Sequence, residues 1–196
     1  MQDDKLARAF EAFDAYNSQD PNHEVDGGRS FPKEVLYAER MTRRLAAFAP
    51  EAPDYVKLAA RCQHIGRWEI PRSSYPMDRK GYLTWRNELK RHHAVIAERI
   101  LKSCDYDEAT IELVKFLVLK KQLHTNPDTQ LLEDVVCLVF LEHYLEDFAS
   151  RNEEEKVVDI LRKTLKKMSP RAINEAQQVV QSDSIRKLLE KAVSVA

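Results

Sequence analysis

The chain reads as an all-α protein, and two observations predict it. Long-chain helix formers dominate the composition while glycine is scarce, at 4 of 196 residues, and such side chains lose little freedom in a helix. Apolar residues also recur three and four positions apart in one segment after another, the spacing that gathers them on one helix face. With 43% hydrophobic and 32% charged residues, the length suits a single-domain helical bundle over residues 1–196 that buries a sizeable core.

Residues 3–17 carry Leu6, Ala9, Phe10 and Phe13 at helical spacing. Residues 18–30 form the clearest loop, with Gly27 and Gly28 adjacent. Ser30 is placed to cap the next helix and Pro32 to occupy its first turn. That helix runs to about Phe48 with the stripe Ala38, Met41, Leu45, Phe48, and Glu34 stands at the start of its buried face. A third helix over residues 52–65 stops at Gly66. Pro71, Pro76 and Gly81 exclude a helix through residues 66–81. A long helix over residues 82–103 follows, with Trp85, Leu89, His93, Ile96 and Ile100 on one face. Residues 107–123 use Ile111, Val114, Leu117 and Val118 in the same way. Residues 127–148 use Leu131, Asp134 or Val135, Leu138, Leu141, Leu145 and Phe148. In the tail, residues 153–167 place Val157, Ile160, Leu161 and Leu165 inside, Ser169-Pro170 opens a further helix, and Ser182 caps the last one over residues 183–194. The expected division is a core of residues 1–150, crossed by an arginine-rich loop at 66–81, with helices of residues 151–196 packed on it.

A net charge of −1 disfavours non-specific binding to nucleic acid. Cys62, Cys104 and Cys137 are odd in number, far apart and set among apolar residues. They are expected to be reduced core thiols of a cytoplasmic protein. No signal-peptide pattern opens the chain, and no apolar run approaches the ~18–20 residues of a membrane span.

Four segments each place one polar group on or beside an apolar stripe: Glu34, His64 with Gln63, His93 with His92, and Asp134. Buried charge is costly unless paired or bound to metal, so convergence on one site is expected. Two imidazoles and two carboxylates suit a divalent ion such as Mn, Fe, Co or Zn. The competing reading makes each a hydrogen-bonded core residue. The loop adds Arg67, Arg72, Arg79 and Arg86, with Trp68 and Tyr75 among them. Guanidinium groups hold phosphate and aromatic faces stack on bases. The competing reading pairs these arginines with Glu69 and Asp78 and uses the aromatics to pack the loop. His92 is a candidate general acid or base, since an ordinary imidazole titrates near neutrality. His23, His124 and His143 fall in loops or on an outer helix face and are set aside.

The run Gln63-His64-Ile65-x-Arg67-Trp68-Glu69-Ile70-Pro71-Arg72-Ser73-Ser74-Tyr75-Pro76, followed by Gly81-Tyr82-x-x-Trp85-Arg86, resembles the domain of unknown function 4202 family. Pro32-Lys33-Glu34-x-Leu36-Tyr37-Ala38, Glu133-Asp134-Val135-x-Cys137-Leu138 and Lys163-Thr164-x-x-Lys167-Met168-Ser169 resemble its flanking segments. More distantly, the chain resembles the HD superfamily of metal-dependent phosphohydrolases, which implies an HD-like core with additional C-terminal helices. That resemblance maps the late aspartate to Asp134 and the third-helix histidine to His93. The first histidine falls on or near Glu34, and the His-Asp pair falls on Gln63-His64, so two of the signature's residue types are changed. It implies a metal-dependent phosphohydrolase of a small phosphorylated or nucleotide-like substrate, with a divalent metal ion on Glu34, His64, His93 and Asp134. Arg67, Arg72, Arg79 and Arg86, with Trp68 and Tyr75, would bind the substrate, and His92 would move the proton. The alternative is a non-catalytic module for an anionic ligand, or a helical protein-interaction domain. The expected partner is a small phosphorylated or anionic ligand, with a homo-oligomer allowed, no membrane, and nucleic acid disfavoured.

Overall fold

The computed structural model describes residues 2–180 and 182–193. Their elements are helical apart from one short hairpin, so the all-α class holds. The chain divides into two compact units, one ending at Lys121 and one starting at Gln122. The sequence suggested a single domain whose C-terminal helices begin at residue 151; helix 127–143 belongs with those helices in the second unit.

The first unit contains α1 (Gln2–Asn17), β1 (His23–Asp26), β2 (Arg29–Pro32), α2 (Lys33–Phe48), α3 (Asp54–Arg61), α4 (Arg79–Ser103) and α5 (Glu108–Val118). The hairpin stands where the sequence suggested a loop. Gly27 and Gly28 take φ of +54° and +78°, and two positive values in succession are what a two-residue hairpin turn requires. The antiparallel register pairs His23 with Pro32 and Asp26 with Arg29. Arg40 of α2, buried to 5% exposure, holds this hairpin through Glu24 and, at 3.0 Å, Asp26. Ser30 is thus a strand residue and does not cap α2; Pro32 precedes that helix directly.

Helix α3 is shorter than its apolar pattern suggested. It ends at Arg61, and the chain turns through Cys62 to Gly66. Helix α4 starts earlier than expected because Asp78 caps it, accepting the Gly81 amide at 2.7 Å. Gly81 is required there, since a Cβ would lie 2.1 Å from the Pro76 carbonyl oxygen. Asp107 caps α5 through the Thr110 amide. Helix α3 packs on α1, α2 and α5, and α4 packs on α1 and α5. Phe13, Leu36, Met41, Leu58, Ile65, Leu101 and Ile111 are fully buried among them. Each apolar stripe expected on α2 and α4 is buried.

The second unit contains α6 (Pro127–His143), α7 (Leu145–Ser150), α8 (Glu154–Leu165), α9 (Pro170–Val179) and α10 (Asp183–Val193). The sequence suggested one helix over 127–148; it breaks at Tyr144. Asn126 caps α6 through the Asp128 and Thr129 amides, with Pro127 in the first turn. Helix α6 packs on α9. Asp134 joins them: its carboxylate accepts the Ser169 amide at 2.8 Å, the Ser169 hydroxyl at 2.5 Å and the Gln130 amide at 2.9 Å. The Ser169 hydroxyl in turn accepts the Ala172 amide at 3.2 Å, capping α9. The final helix, expected to reach residue 194, is described to Val193; position 194 lies outside the described residues. No described helix is long and apolar enough to cross a membrane.

Asp134 is 3% exposed, so its removal strands the Ser169 donors in the core. Asp134→Ala should cost about 2–3 kcal/mol, read as a lower urea midpoint at unchanged slope. Ser169→Ala, which loses the cap and one of these bonds, should cost about 1 kcal/mol. Stability of Asp134→Ala within about 0.5 kcal/mol of wild type would contradict this role.

Candidate functional site

Three of the four polar groups singled out in the sequence lie together in the first unit. Glu34 stands in the first turn of α2, and its carboxyl is buried to 5% exposure. Its Oε2 lies 3.5 Å from His64 Nδ1 and its Oε1 lies 3.8 Å from Arg67 Nε. Oε2 makes no hydrogen bond. Tyr37, one turn along α2, stacks on the His64 ring at 4.0 Å between centroids and 11° between planes. His93 reaches the cluster from α4, its ring centroid 5.9 Å from that of His64. Its Nδ1 donates to the Ile65 carbonyl at 2.6 Å.

Two side chains from the end of α1 hold this arrangement, and neither stood out in the sequence. Asn17, 1% exposed, donates to the Glu34 carbonyl at 3.4 Å and accepts the Gly66 amide at 3.2 Å. Asp20, 2% exposed, accepts the Glu34 amide at 3.2 Å and the Asn22 amide at 2.8 Å. One amide side chain thereby fixes both the start of α2 and the turn that carries His64. Turn residues such as Asn and Asp are the only sequence signal for this; their burial comes from tertiary packing.

Gly66 takes φ of +67°. A Cβ there would lie 2.5 Å from Ile96 Cδ1 and 3.1 Å from His92 Nε2, so glycine is needed for both conformation and space. Beyond it, Glu69 receives the Tyr16 hydroxyl at 2.6 Å and stands 3.2 Å from His92 Nε2. His92 thus stands beside a carboxylate at the rim of the cluster, its Nε2 without a hydrogen bond.

The arginines divide by role. Arg67 lies over the Trp85 ring at 4.9 Å, and the Trp85 indole donates to the Ile70 carbonyl. Arg67 and Arg86 both bring positive charge to bear on His64 and His93. Arg72 donates to the Tyr75 and Asp78 carbonyls, which braces the loop. Arg79 is exposed at the first turn of α4. Trp68 packs against Tyr16, and Tyr75 bonds to Glu88. Asp134 belongs to the second unit, where Ser169 and Gln130 engage its oxygens. Among the described residues no group of three or more His, Cys, Asp and Glu side chains is arranged to hold a metal ion.

Burial sets the ionisation of the cluster. It pushes the Glu34 carboxyl up to about 7, with Arg67 opposing. Burial, reinforced by Arg67, drives His64 well below the usual imidazole range. Burial likewise takes His93 down to about 3, against the opposing Ile65 carbonyl. Near neutral pH both imidazoles are uncharged and much of the carboxyl is protonated, while both guanidinium groups remain positive. Cys62 is pushed up to about 12 by burial and stays a thiol.

Folded Glu34 keeps a proton between pH 4.5 and about 7 that the unfolded chain has released. Its stabilising contribution is complete below 4.5 and lost by about 7. His64 and His93 act in the opposite sense, since the unfolded chain binds their protons below 6.5. Wild type minus Glu34→Gln isolates the carboxyl. That stability difference should fall by about 3 kcal/mol between pH 4.5 and 7.5, measured by urea unfolding at each pH. A difference that stays constant across this range would contradict the buried neutral carboxyl.

A family model, the domain of unknown function DUF4202, matches residues 7–189. No curated protein and no solved structure matches the chain. The matched span takes in both units, the His64 turn and the arginine loop. The chain belongs to the DUF4202 family.

Proposed function

We propose that the Glu34–His64–Arg67 cluster is a receptor for a small phosphate-bearing or similar anion. The observation that carries this reading is the pair of guanidinium groups, Arg67 and Arg86, acting on a partly buried site that offers no ionised carboxylate within hydrogen-bonding distance of either. Arg67 is 28% exposed and 3.8 Å from Glu34, close enough to feel the carboxyl and too far to be satisfied by it. An incoming anion gains charge-assisted hydrogen bonds at a site whose dielectric is lower than water. Ionisation of Glu34 would place a competing negative charge in the same spot, so affinity should fall as pH rises through about 7.

A second reading is the metal-dependent phosphohydrolase of the HD superfamily. The observation in its favour is His93, whose Nδ1–H is held by a backbone carbonyl, an arrangement that orients a metal-binding imidazole. Against it stands Asp134, whose oxygens are occupied by Ser169 and Gln130. A divalent ion would supply an activated water and charge screening. The residues gathered in the first unit do not complete its coordination, and no reaction step is assigned to it. Metal analysis of protein purified without chelator separates the readings. Stoichiometric Mn, Fe, Co or Zn that is lost in His64→Ala, together with turnover of a phosphate ester, would favour the hydrolase.

Sulfate is the probe for the anion reading because its charge is constant across the range of interest. Calorimetric titration should show binding that weakens about tenfold between pH 6.5 and 8.5 in wild type. The dependence should disappear in Glu34→Gln, and Arg67→Ala should weaken binding at least about tenfold. Sulfate affinity indifferent to Arg67→Ala would overturn the receptor reading.

A further inference from the structure

Two buried side chains, one in the first turn of α2 and one next to His64 in the chain, hold polar atoms without hydrogen-bond partners. Glu34 Oε2 and Gln63 Oε1 have none, and the two residues are 4% and 3% exposed. His93, 3% exposed, adds a further acceptor from α4. The Ile65 carbonyl can only accept, so the proton of His93 sits on Nδ1. Nε2 is then a bare lone pair, with no partner among the described residues. In the neutral ring His93 Nε2 is therefore an acceptor. Gln63 stands next to His64 in the chain and presents a carbonyl-type oxygen, also an acceptor.

Buried polar atoms in folded proteins are almost always satisfied, and unsatisfied ones mark a missing partner. Sulfate cannot supply it. It carries only acceptors, and it would set lone pair against lone pair at His93. The missing partner must bring hydrogen-bond donors beside its negative charge.

Resting on the anion-receptor reading, we propose that the ligand is a hydroxyl-bearing phosphate ester, a sugar or polyol phosphate. Its phosphate meets Arg67 and Arg86 while its hydroxyl groups donate to His93 Nε2 and the neighbouring buried acceptors. The neutral imidazoles then act as readers of the sugar, not as metal ligands. The Tyr37–His64 stack, at 4.0 Å, keeps the His64 ring fixed beside them.

The test compares methyl phosphate, 2-deoxyribose 5-phosphate and ribose 5-phosphate by calorimetry on the full chain at pH 6.5. All three carry the same kind of phosphate and differ in hydroxyl count. Ribose 5-phosphate should bind at least about tenfold tighter than methyl phosphate, with the deoxy sugar between. In His93→Phe the advantage of ribose 5-phosphate over methyl phosphate, measured on the same variant, should shrink below about threefold. Equal binding of the three ligands by wild type overturns this inference and leaves the anion receptor standing. Binding of none of them, nor of sulfate, overturns both. An advantage that survives in folded His93→Phe also overturns the assignment. Should that variant fail to fold, the three-ligand series on wild type decides alone. Adenosine 5′-phosphate separates the sources of the ester: binding beyond ribose 5-phosphate adds a base to the ligand, and equal binding restricts it to the sugar phosphate.

Discussion

The Glu34 carboxyl lies 3.5 Å from His64 and 3.8 Å from Arg67, within reach of both and hydrogen-bonded to neither through Oε2. Its position is set by its backbone. Asp20 takes the Glu34 amide, Asn17 takes the Glu34 carbonyl, and the same Asn17 side chain takes the Gly66 amide. The end of α1 thus fixes the start of α2 against the turn after α3. With the backbone held on both sides, the carboxyl cannot swing toward water, and protonation becomes the cheaper way to occupy the site. The charge state of the whole cluster follows from that constraint. Neutral Glu34 leaves Arg67 unmatched, while burial, reinforced by the arginine charges, holds the two imidazoles uncharged.

Chain economy at Gly66 reinforces the same geometry. Its left-handed conformation ends the turn, its missing Cβ admits Ile96 and His92, and its amide binds Asn17. The Tyr16–Glu69–His92 series then closes the rim. His92 keeps a side-chain exposure of 23%, which places an imidazole between solvent and the buried groups.

Burial of Glu34, His93 and Asp134 was legible because each interrupts an apolar stripe of period 3.6, and period is what sequence records best. His64 was legible as a polar residue before a glycine break, yet the helix ends four residues earlier than the stripe implied, since Cys62 to Gly66 form turns. The hairpin at residues 23–32 was hidden because its strands are four residues long, too short for alternation to register. The partners of Asp134 were hidden too. Ser169 lies thirty-five positions away, and spacing cannot reveal whether a buried acid meets a metal, a cation or a helix end. The arginine loop showed charge without direction. Only packing distinguishes Arg72, bonded to the loop's own carbonyls, from Arg67 over Trp85 beside the site.

The neutral carboxyl is the hinge of this account, and it can be observed directly. A carbon-13 NMR titration of the side-chain carboxyl of Glu34, assigned by its loss in Glu34→Gln, reports its ionisation without reference to stability or ligand. A midpoint near 7 is the result the account predicts. A midpoint at or below 4.5, the ordinary value for this side chain, would mean an ionised Glu34 already neutralises Arg67, and the site would have no charge left for an anion.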